Sequence, residues 1–327
     1  MSSDRTRRLS CGSGSAFPPL SDLRPPAPPR TPAPPENETM PSTETPLLTS
    51  LRSPRVVAAR RLAKRNQRTK ERRFLAEGPQ AVREAVAFGR LPGTSEHAVV
   101  EVYVGLEAAE RHADIVEAAL AEGLPVLTAT DEVIADICDT VTPQGIVALC
   151  RFIDTPFAEV LEARPKLVAI LAHVRDPGNA GTVLRTADAA GADAVVLTDA
   201  SVDLYNPKAV RASVGSLFHL PVAVGVPVEE AVARLREAGI RVLAADGAGE
   251  RDLDQELDEG TLGAPGAWLF GNEAWGLPEE TRALTDEVVR VPIHGHAESL
   301  NLATAAAVCL YASARAQRSP GGCRSNA

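Results

Sequence analysis

Polar residues that could do chemistry occur in three short loops, each placed between an apolar stretch and the start of a helix. The loops lie within HVRDPGNAGTVLRTADAAGAD (173–193), LFGNEAWGLPEE (269–280) and VPIHGHAESLNLATAAAV (291–308). Open α/β folds bind ligands beyond the carboxyl ends of their strands, so three such loops at one end of a sheet predict a ligand site. The candidate site residues are Asn179, Arg185, Glu273, Ser299 and Asn301.

The loop sequences argue against common nucleotide and metal sites. GNAGT (178–182) is neither the dinucleotide pattern GxGxxG nor the phosphate loop GxxxxGK[ST], and ADGAGERD (245–252) lacks the third glycine of GxGxxG. His294 and His296 form an HxH pair that could bind a metal. No third Cys, His or carboxylate has suitable spacing nearby, so the sequence predicts no metal site.

Each candidate residue also has a purely structural interpretation. Asn179 could shape a turn, Arg185 could be a surface charge on a helix, and Ser299 could cap the Ala-rich helix that follows it. Glu273 could face the N-terminus of a helix that starts at Pro278, where anions are favoured. The occurrence of such residues at three equivalent loop positions favours a common site.

Alternating apolar strands and helices are expected to position these loops. Six strands rich in Val, Leu and Ala follow a connector at 154–165, and they predict a parallel sheet covered by helices on both faces. A shorter alternation within 51–153 predicts a small α/β domain. The helix over 300–312 is apolar on nearly every face, so it must be buried in the core or in a subunit interface. The six strands are 167–174, 192–199, 219–226, 241–246, 267–271 and 287–292.

Charge is strongly segregated along the chain. The net charge is −9, but residues 52–73 contain ten Lys or Arg against Glu71 alone, and the 254 residues after them carry a net charge of −18. This distribution indicates an anionic partner that is bound at one place. The segment 51–75 is predicted to be a helix with its basic residues on one face. These residues are Arg60, Arg61, Lys64, Arg65 and Arg68.

Composition sets the remaining limits. Residues 1–50 contain 11 prolines and few large apolar side chains, which predicts a disordered tail, and a second short tail is predicted at 319–327. The sequence leaves open whether Met1 or Met40 is the start. Five cysteines without a CxxC pair, and no signal peptide, favour reduced thiols in the cytoplasm. No apolar run reaches the roughly 18 residues needed to span a bilayer, which predicts no membrane association.

The three loop sequences resemble the three motifs of the SpoU/TrmH family of RNA 2′-O-ribose methyltransferases. PGNAGTVLRTADAAGAD resembles the first motif, with an Asn six residues before an Arg; LFGNEAWGLPEE resembles the second, and VPIHGHAESLNLATAAAVCLYA the third, which is written around SLN. The match covers about residues 166–315. FLAEGPQAVREAV (74–86) and TVTPQGIVAL (140–149) also resemble the family's N-terminal substrate-binding domain, which is similar to a small ribosomal RNA-binding protein.

This resemblance implies an α/β fold with two domains. A knotted methyltransferase domain with a C-terminal trefoil knot is expected over 166–318, after a small RNA-binding domain over 51–153. The resemblance implies a homodimer through the knot domain. It implies S-adenosylmethionine as the methyl donor, held by loops at Gly271, Val291 and Leu300.

The implied acceptor is a ribose 2′-hydroxyl of RNA. Ribosomal RNA is the first choice and transfer RNA the second, and the alternative from another class is a non-catalytic RNA-binding protein that keeps the knot as a scaffold. The family assigns the motif-one Arg, here Arg185, as general base. A guanidinium keeps its proton in proteins, so Arg185 could instead stabilise the developing alkoxide. RNA contacts are expected from Arg60, Arg61, Lys64 and Arg65.

Overall fold

The computed structural model describes residues 47–318, which form two β-sheets with helices packed on them. Apart from residues 47–50, the two predicted tails and Met40 lie outside these residues. The N-terminal sheet contains β1 (Arg73–Glu77), β2 (Val99–Gly105), β3 (Val126–Ala129) and β4 (Ile146–Arg151). Its order is β1-β4-β2-β3, with β4 antiparallel to both neighbours and β3 parallel to β2.

Six helices accompany the N-terminal sheet. They are α1 (Pro54–Arg61), α2 (Arg65–Glu71), α3 (Pro79–Phe88), α4 (Leu106–Arg111), α5 (Ala113–Ala121) and α6 (Asp131–Ile137). The prediction of one basic helix over 51–75 is wrong, because the chain turns between α1 and α2 and Lys64 is extended. The guanidinium of Arg68 donates to the carbonyl oxygens of Leu62 and Ala63 at 2.7 and 2.8 Å. These hydrogen bonds satisfy carbonyl groups at the turn after α1.

The C-terminal sheet is entirely parallel, which confirms the predicted sheet type. Its seven strands are β5 (Leu167–Leu171), β6 (Ala194–Thr198), β7 (Val222–Val226), β8 (Arg241–Ala245), β9 (Arg251–Asp252), β10 (Gly266–Phe270) and β11 (Glu287–Arg290). Their order is β7-β6-β5-β10-β8-β11-β9, so the chain crosses over repeatedly and all carboxyl ends meet at one edge. The six predicted strands are present, and the two-residue strand β9 was not predicted. The trefoil knot stays a prediction.

Helices cover this sheet. They are α7 (Phe157–Glu162), α8 (Pro177–Ala190), α9 (Pro207–Ser213), α10 (Val228–Glu237), α11 (Leu253–Asp258), α12 (Glu279–Arg282) and α13 (Leu302–Arg318). Helix α7 lies within the predicted connector and buries Phe157 and Val160 in the core. Helix α13 packs beside α8, but Val308 and Tyr311 remain 39% and 51% exposed. The alternative that α13 is fully buried in the core of one chain is therefore wrong. None of the helices in the described range could span a membrane.

The two sheets are joined by a buried ion pair and by stacked aromatic rings. Arg68 is only 2% exposed, and its Nε donates to Asp203 at 3.0 Å across the boundary between the two sheets. The ring of Tyr205 stacks on that of Phe152 with centroids 3.8 Å apart, and its hydroxyl donates to Asp154 at 2.9 Å. The predicted placement of Arg68 on an exposed basic face is therefore wrong.

Arg68→Ala is expected to lower the free energy of unfolding by about 3 kcal/mol, because it leaves Asp203 without its partner and strips two carbonyl groups of their donor. Arg65→Ala is the matched control. Arg65 is exposed and has no ion pair within residues 47–318, so its removal should change stability by less than about 0.5 kcal/mol. Urea unfolding followed by circular dichroism measures the stability of both variants. Equal unfolding midpoints for Arg68→Ala and Arg65→Ala would contradict the structural role of Arg68.

Candidate active site

The carboxylate of Glu273 connects the loop after β10 to the loop after β5. It accepts hydrogen bonds from the backbone N–H groups of Arg175 and Asp176 at 3.3 and 3.2 Å. It also accepts from Nδ2 of Asn179 at 3.1 Å. Glu273 therefore faces the start of α8, and the interpretation that it faces a helix beginning at Pro278 is wrong.

Asn301 extends this connection to the loop after β11. Its Nδ2 donates to Oδ1 of Asn179 at 3.2 Å, and its Oδ1 accepts from the backbone N–H groups of Ala303 and Thr304 at 2.9 and 3.4 Å. Asn301 is thus the N-cap of α13, and the interpretation of Ser299 as that cap is wrong. Glu273, Asn179 and Asn301 form one hydrogen-bonded chain, named here the loop triad.

The start of α8 gives the site a fixed negative charge beside the loop triad. Oδ1 of Asp176 accepts from the backbone N–H of Asn179 at 2.9 Å, and Oδ2 accepts from Nζ of Lys208 at 2.7 Å. The hydrogen bond from Lys208 lowers the pKa of Asp176 below its usual range. Asp176 therefore remains ionised and caps the helix whose first turn carries Asn179.

A cavity of about 410 Å³ lies beside the loop triad, at the carboxyl ends of β8, β10 and β11. Gly271, Val291 and Leu300 all line it, and so does Ser299. A Cβ atom on Gly271 would lie 2.5 Å from the backbone of Gly276, so only glycine fits at this position. Further apolar walls come from Phe270, Ile293 and Leu302.

A second, more open cavity of about 610 Å³ adjoins the first. The two share the loop from Asn272 to Trp275, and the second is completed by Arg175, Asn179 and Asn301. Trp275 is 53% exposed, and its ring lies 5.5 Å from that of His173 between centroids. The loop triad therefore lies where a ligand in one cavity would meet a ligand in the other.

Arg185 is the candidate that the structure does not bring to this site. It lies exposed on α8 and lines neither cavity, and its side chain makes no hydrogen bond or ion pair within residues 47–318. Its helix packs beside α13, whose exposed side chains include Val308 and Tyr311. A single chain thus presents the loop triad without the cation that was expected with it.

The four residues proposed for RNA contact differ in whether a carboxylate neutralises them. Nη1 of Arg60 donates to both carboxylate oxygens of Asp136 on α6 at 2.9 Å. Arg61, Lys64 and Arg65 are exposed, and none of them forms an ion pair in the part of the chain that the structure describes. Three of the four proposed residues therefore keep a positive charge that no ion pair within residues 47–318 neutralises.

Asp246 and Trp275 line the cavities and were not predicted from the sequence. Asp246 follows β8 at the same sheet edge, and it accepts from the backbone N–H groups of Leu277 and Ala248 at 3.1 and 2.9 Å. Ligands bind beyond the carboxyl ends of parallel strands, and the same argument applied to β8 would have identified Asp246. Trp275 carries no comparable signal, because its position follows only from the fold of its loop.

His294 and His296 are exposed in the loop before Ser299. Among the described residues, no group of three His, Cys, Asp or Glu side chains is arranged to hold a metal ion.

Asn301→Ala should lower the free energy of unfolding by about 1 kcal/mol, because α13 loses the side chain that caps it. Ser299→Ala is the control in the same loop, and it should cost less than about 0.5 kcal/mol because Ser299 is exposed and does not cap the helix. Chemical denaturation of both variants checks this. A larger loss for Ser299→Ala would restore Ser299 as the cap.

Comparison with known proteins agrees with this geometry. Residues 166–311 match the SpoU rRNA Methylase family, and residues 53–148 match the MRM3-like substrate binding domain. The chain is 34% identical over 267 residues, 81% of its length, to the 23S rRNA (guanosine(2553)-2′-O)-methyltransferase RlmP of Bacillus subtilis, of which the match covers 97%.

Solved structures give the same result. An AdoMet-bound rRNA methyltransferase from Sinorhizobium meliloti is 31% identical with a TM-score of 0.69, over 83% of this chain and 97% of that one. The SpoU methyltransferase AviRb from Streptomyces viridochromogenes, in complex with the cofactor AdoMet, is 29% identical with a TM-score of 0.67, over 80% and 98% of the two chains. The chain with its loop triad therefore belongs to the SpoU rRNA methylase family.

Proposed function

We propose that this protein transfers a methyl group from S-adenosylmethionine to a ribose 2′-hydroxyl of ribosomal RNA. The observation that carries the proposal is the loop triad between two adjoining cavities at the carboxyl edge of a parallel sheet. Relatives named as 23S rRNA 2′-O-methyltransferases and AdoMet-bound structural neighbours support both the donor and the RNA class.

The cavity lined by Gly271, Val291 and Leu300 fits the donor. Its apolar walls suit a planar adenine ring, and the close approach of Gly271 to Gly276 leaves room that a side chain would fill. When bound, S-adenosylmethionine supplies an electrophilic methyl group. The carboxylates of Asp246 and Glu298 also line the cavity and offer acceptors for the donor's ammonium group.

The second cavity fits the acceptor nucleotide. The exposed ring of Trp275 offers a face on which a base can stack, and Asn179 and Asn301 offer amides that can orient a ribose. Glu273 accepts from Asn179, and Asn179 accepts from Asn301, so both amides are already positioned in the free protein. Alignment of the hydroxyl with the methyl group is a large part of the barrier, so the loop triad acts mainly by positioning.

A ribose hydroxyl must lose its proton as it attacks, and the negative charge that develops on oxygen needs a fixed cation. Arg185 is our candidate for this role. Its guanidinium keeps its own proton, so we assign it to stabilise the alkoxide rather than to act as the base.

We propose a homodimer that joins Arg185 of one chain to the loop triad of the other. Arg185 is outside the site of its own chain, and the exposed Val308 and Tyr311 of the neighbouring helix α13 offer an apolar surface for a second copy. Isologous contact of this kind is the commonest way in which homo-oligomers assemble. We also propose a cytoplasmic location, which the free thiols of Cys138, Cys150 and Cys309 support.

Incubation of the protein with labelled S-adenosylmethionine and protein-free ribosomal RNA tests the function. We expect one ribose to become methylated and thereby resistant to alkaline cleavage, with full activity in excess chelator. Transfer only to transfer RNA would favour the second substrate. Failure to bind S-adenosylmethionine would favour a non-catalytic RNA-binding protein, and activity that needs added zinc would implicate His294 and His296.

Arg185→Ala is expected to lower the transfer rate by about 10²-fold or more, as loss of a group that stabilises developing charge does elsewhere. Donor affinity should change less than about twofold, because Arg185 does not line the donor cavity. Arg185→Lys should restore little, because a point charge does not replace a planar guanidinium. Single-turnover kinetics and donor titration measure both effects. Near-normal transfer by the Lys variant would contradict the assignment.

Mixing Arg185→Ala with Glu273→Ala tests whether Arg185 acts across the interface. Random pairing makes half of the dimers mixed, and each mixed dimer regains one complete site, so roughly a quarter of the wild-type activity should return. If Arg185 acts within its own chain, the mixture stays inactive, because every site then lacks one of the two residues.

A further inference from the structure

A third cavity, of about 450 Å³, lies on the N-terminal sheet beneath the turn between α1 and α2. It shares no lining residue with the two cavities of the active site. Its size is within the range of small-ligand sites. The turn that opens it is held by Arg68, whose guanidinium binds the carbonyl groups of Leu62 and Ala63. The turn between α1 and α2 therefore creates a concave surface, which one continuous helix over this segment would not form.

The floor of this cavity is apolar and rigid. Ala59, Leu62 and Leu149 contribute to it and are almost fully buried. Ala58 and Val100 complete the apolar lining. A flat apolar surface of this kind suits one face of a nucleobase, because every base presents a π-face that can pack without regard to sequence.

Three arginines line this cavity, and its other polar lining residues are Gln67, Glu71 and Glu101. Arg61 and Arg73 line the cavity and have no ion pair or hydrogen bond from their side chains within residues 47–318. Arg55 has only a contact of 3.8 Å with Glu101, and its side chain is 58% exposed. Guanidinium groups that lack protein partners are suited to bind phosphate oxygens in pairs. The cavity therefore offers a phosphate site next to a base site.

Glu101 gives the cavity an acceptor with a fixed direction. Its side chain is only 13% exposed, and one carboxylate oxygen accepts from the buried hydroxyl of Tyr103. Burial raises the pKa of Tyr103, so this hydroxyl keeps its proton and donates. The other oxygen lies 3.8 Å from Arg55, which is too long for a hydrogen bond. A carboxylate oxygen thus remains free to accept from a ligand.

The chemistry of this acceptor selects among the bases. Guanine presents two adjacent donors on its Watson–Crick edge, the N1–H and the 2-amino group. Glu101 can accept one of them on its free oxygen and the other on the second lone pair of the oxygen that Tyr103 contacts. Adenine has no proton on N1, and uracil and cytosine each present a single donor group there.

We propose that this cavity binds an unpaired guanosine nucleotide of the substrate RNA, with the base on the apolar floor, its edge at Glu101 and its phosphate at Arg61. The identification of RNA as the source of the nucleotide rests on the proposed function. The binding chemistry itself rests only on the cavity. Binding in this cavity would hold the RNA at the N-terminal sheet while the target ribose lies at the loop triad.

Titration with GMP, IMP and AMP at low salt tests the cavity without any methyl transfer. GMP should bind roughly tenfold or more tightly than AMP, because a good bidentate contact discriminates by about that factor. IMP, which lacks the 2-amino group, should be intermediate. Glu101→Gln should remove the preference for GMP, and Arg61→Gln should weaken all three nucleotides by a similar factor.

Arg60→Gln is the matched control for Arg61→Gln. It changes the charge by the same amount at the next position, but Arg60 contacts Asp136 and does not line the cavity. Nucleotide affinity should therefore stay within about twofold of wild type. Equal affinity for GMP and AMP, or equal weakening by the Arg60 and Arg61 variants, would overturn the proposed site.

A pair of single-stranded RNA pentamers, UUGUU and UUAUU, then identifies the source of the nucleotide. We expect UUGUU to compete with GMP and UUAUU not to compete, and Glu101→Gln to raise the KM for ribosomal RNA without lowering kcat. Binding of GMP without competition by UUGUU would overturn the RNA assignment. GMP binding with no methyl transfer to any RNA would refute the proposed function and leave the guanine site standing.

Discussion

The carboxylate of Glu273 is the interaction on which the site depends. Three loops leave one edge of a parallel sheet after β5, β10 and β11, and each has freedom to move apart from the others. Glu273 binds two backbone amides and Asn179, and Asn179 in turn binds Asn301, which starts α13. This chain of hydrogen bonds brings residues more than ninety positions apart into one geometry before any ligand is present. The two cavities meet at this point because the loops that line them are tied together there.

A second constraint acts on the N-terminal sheet. Arg68 holds the turn between α1 and α2 and forms an ion pair with Asp203, which lies between β6 and α9. The same side chain therefore shapes the cavity under that turn and connects the two sheets. The stacked rings of Phe152 and Tyr205 lie at the same boundary. RNA held at the N-terminal cavity would therefore meet the active site at a defined position, because the two sheets are joined by buried contacts.

Local sequence patterns predicted much of the fold. The Val-rich strand β2 lies in the segment 51–153, where an alternation of strands and helices was predicted. The parallel sheet was predicted from alternating strands and helices. The proximity of Asn179, Glu273 and Asn301 was predicted because their loops follow the carboxyl ends of strands in the same sheet. The predicted donor residues Gly271, Val291 and Leu300 line one cavity, while their role stays a proposal.

The failures share a physical cause, which is a partner distant in sequence. The spacing of basic residues in 51–75 places Arg68 with its neighbours on one helix face, because its partner Asp203 lies 135 residues away and cannot be recognised locally. Arg60 is held by Asp136, and no periodicity within α1 could show that. The separation of Arg185 from the loop triad depends on how α8 turns against the sheet.

Mapping of 2′-O-methylated riboses in ribosomal RNA from cells that lack this protein tests the role of the loop triad in methyl transfer. We expect that one methylated ribose is lost, that wild-type protein restores it, and that Glu273→Ala protein, although folded and present at the same level, does not. An unchanged methylation pattern in the deletion strain, or full restoration by Glu273→Ala, would contradict the claim that the loop triad positions a ribosomal RNA ribose for methyl transfer.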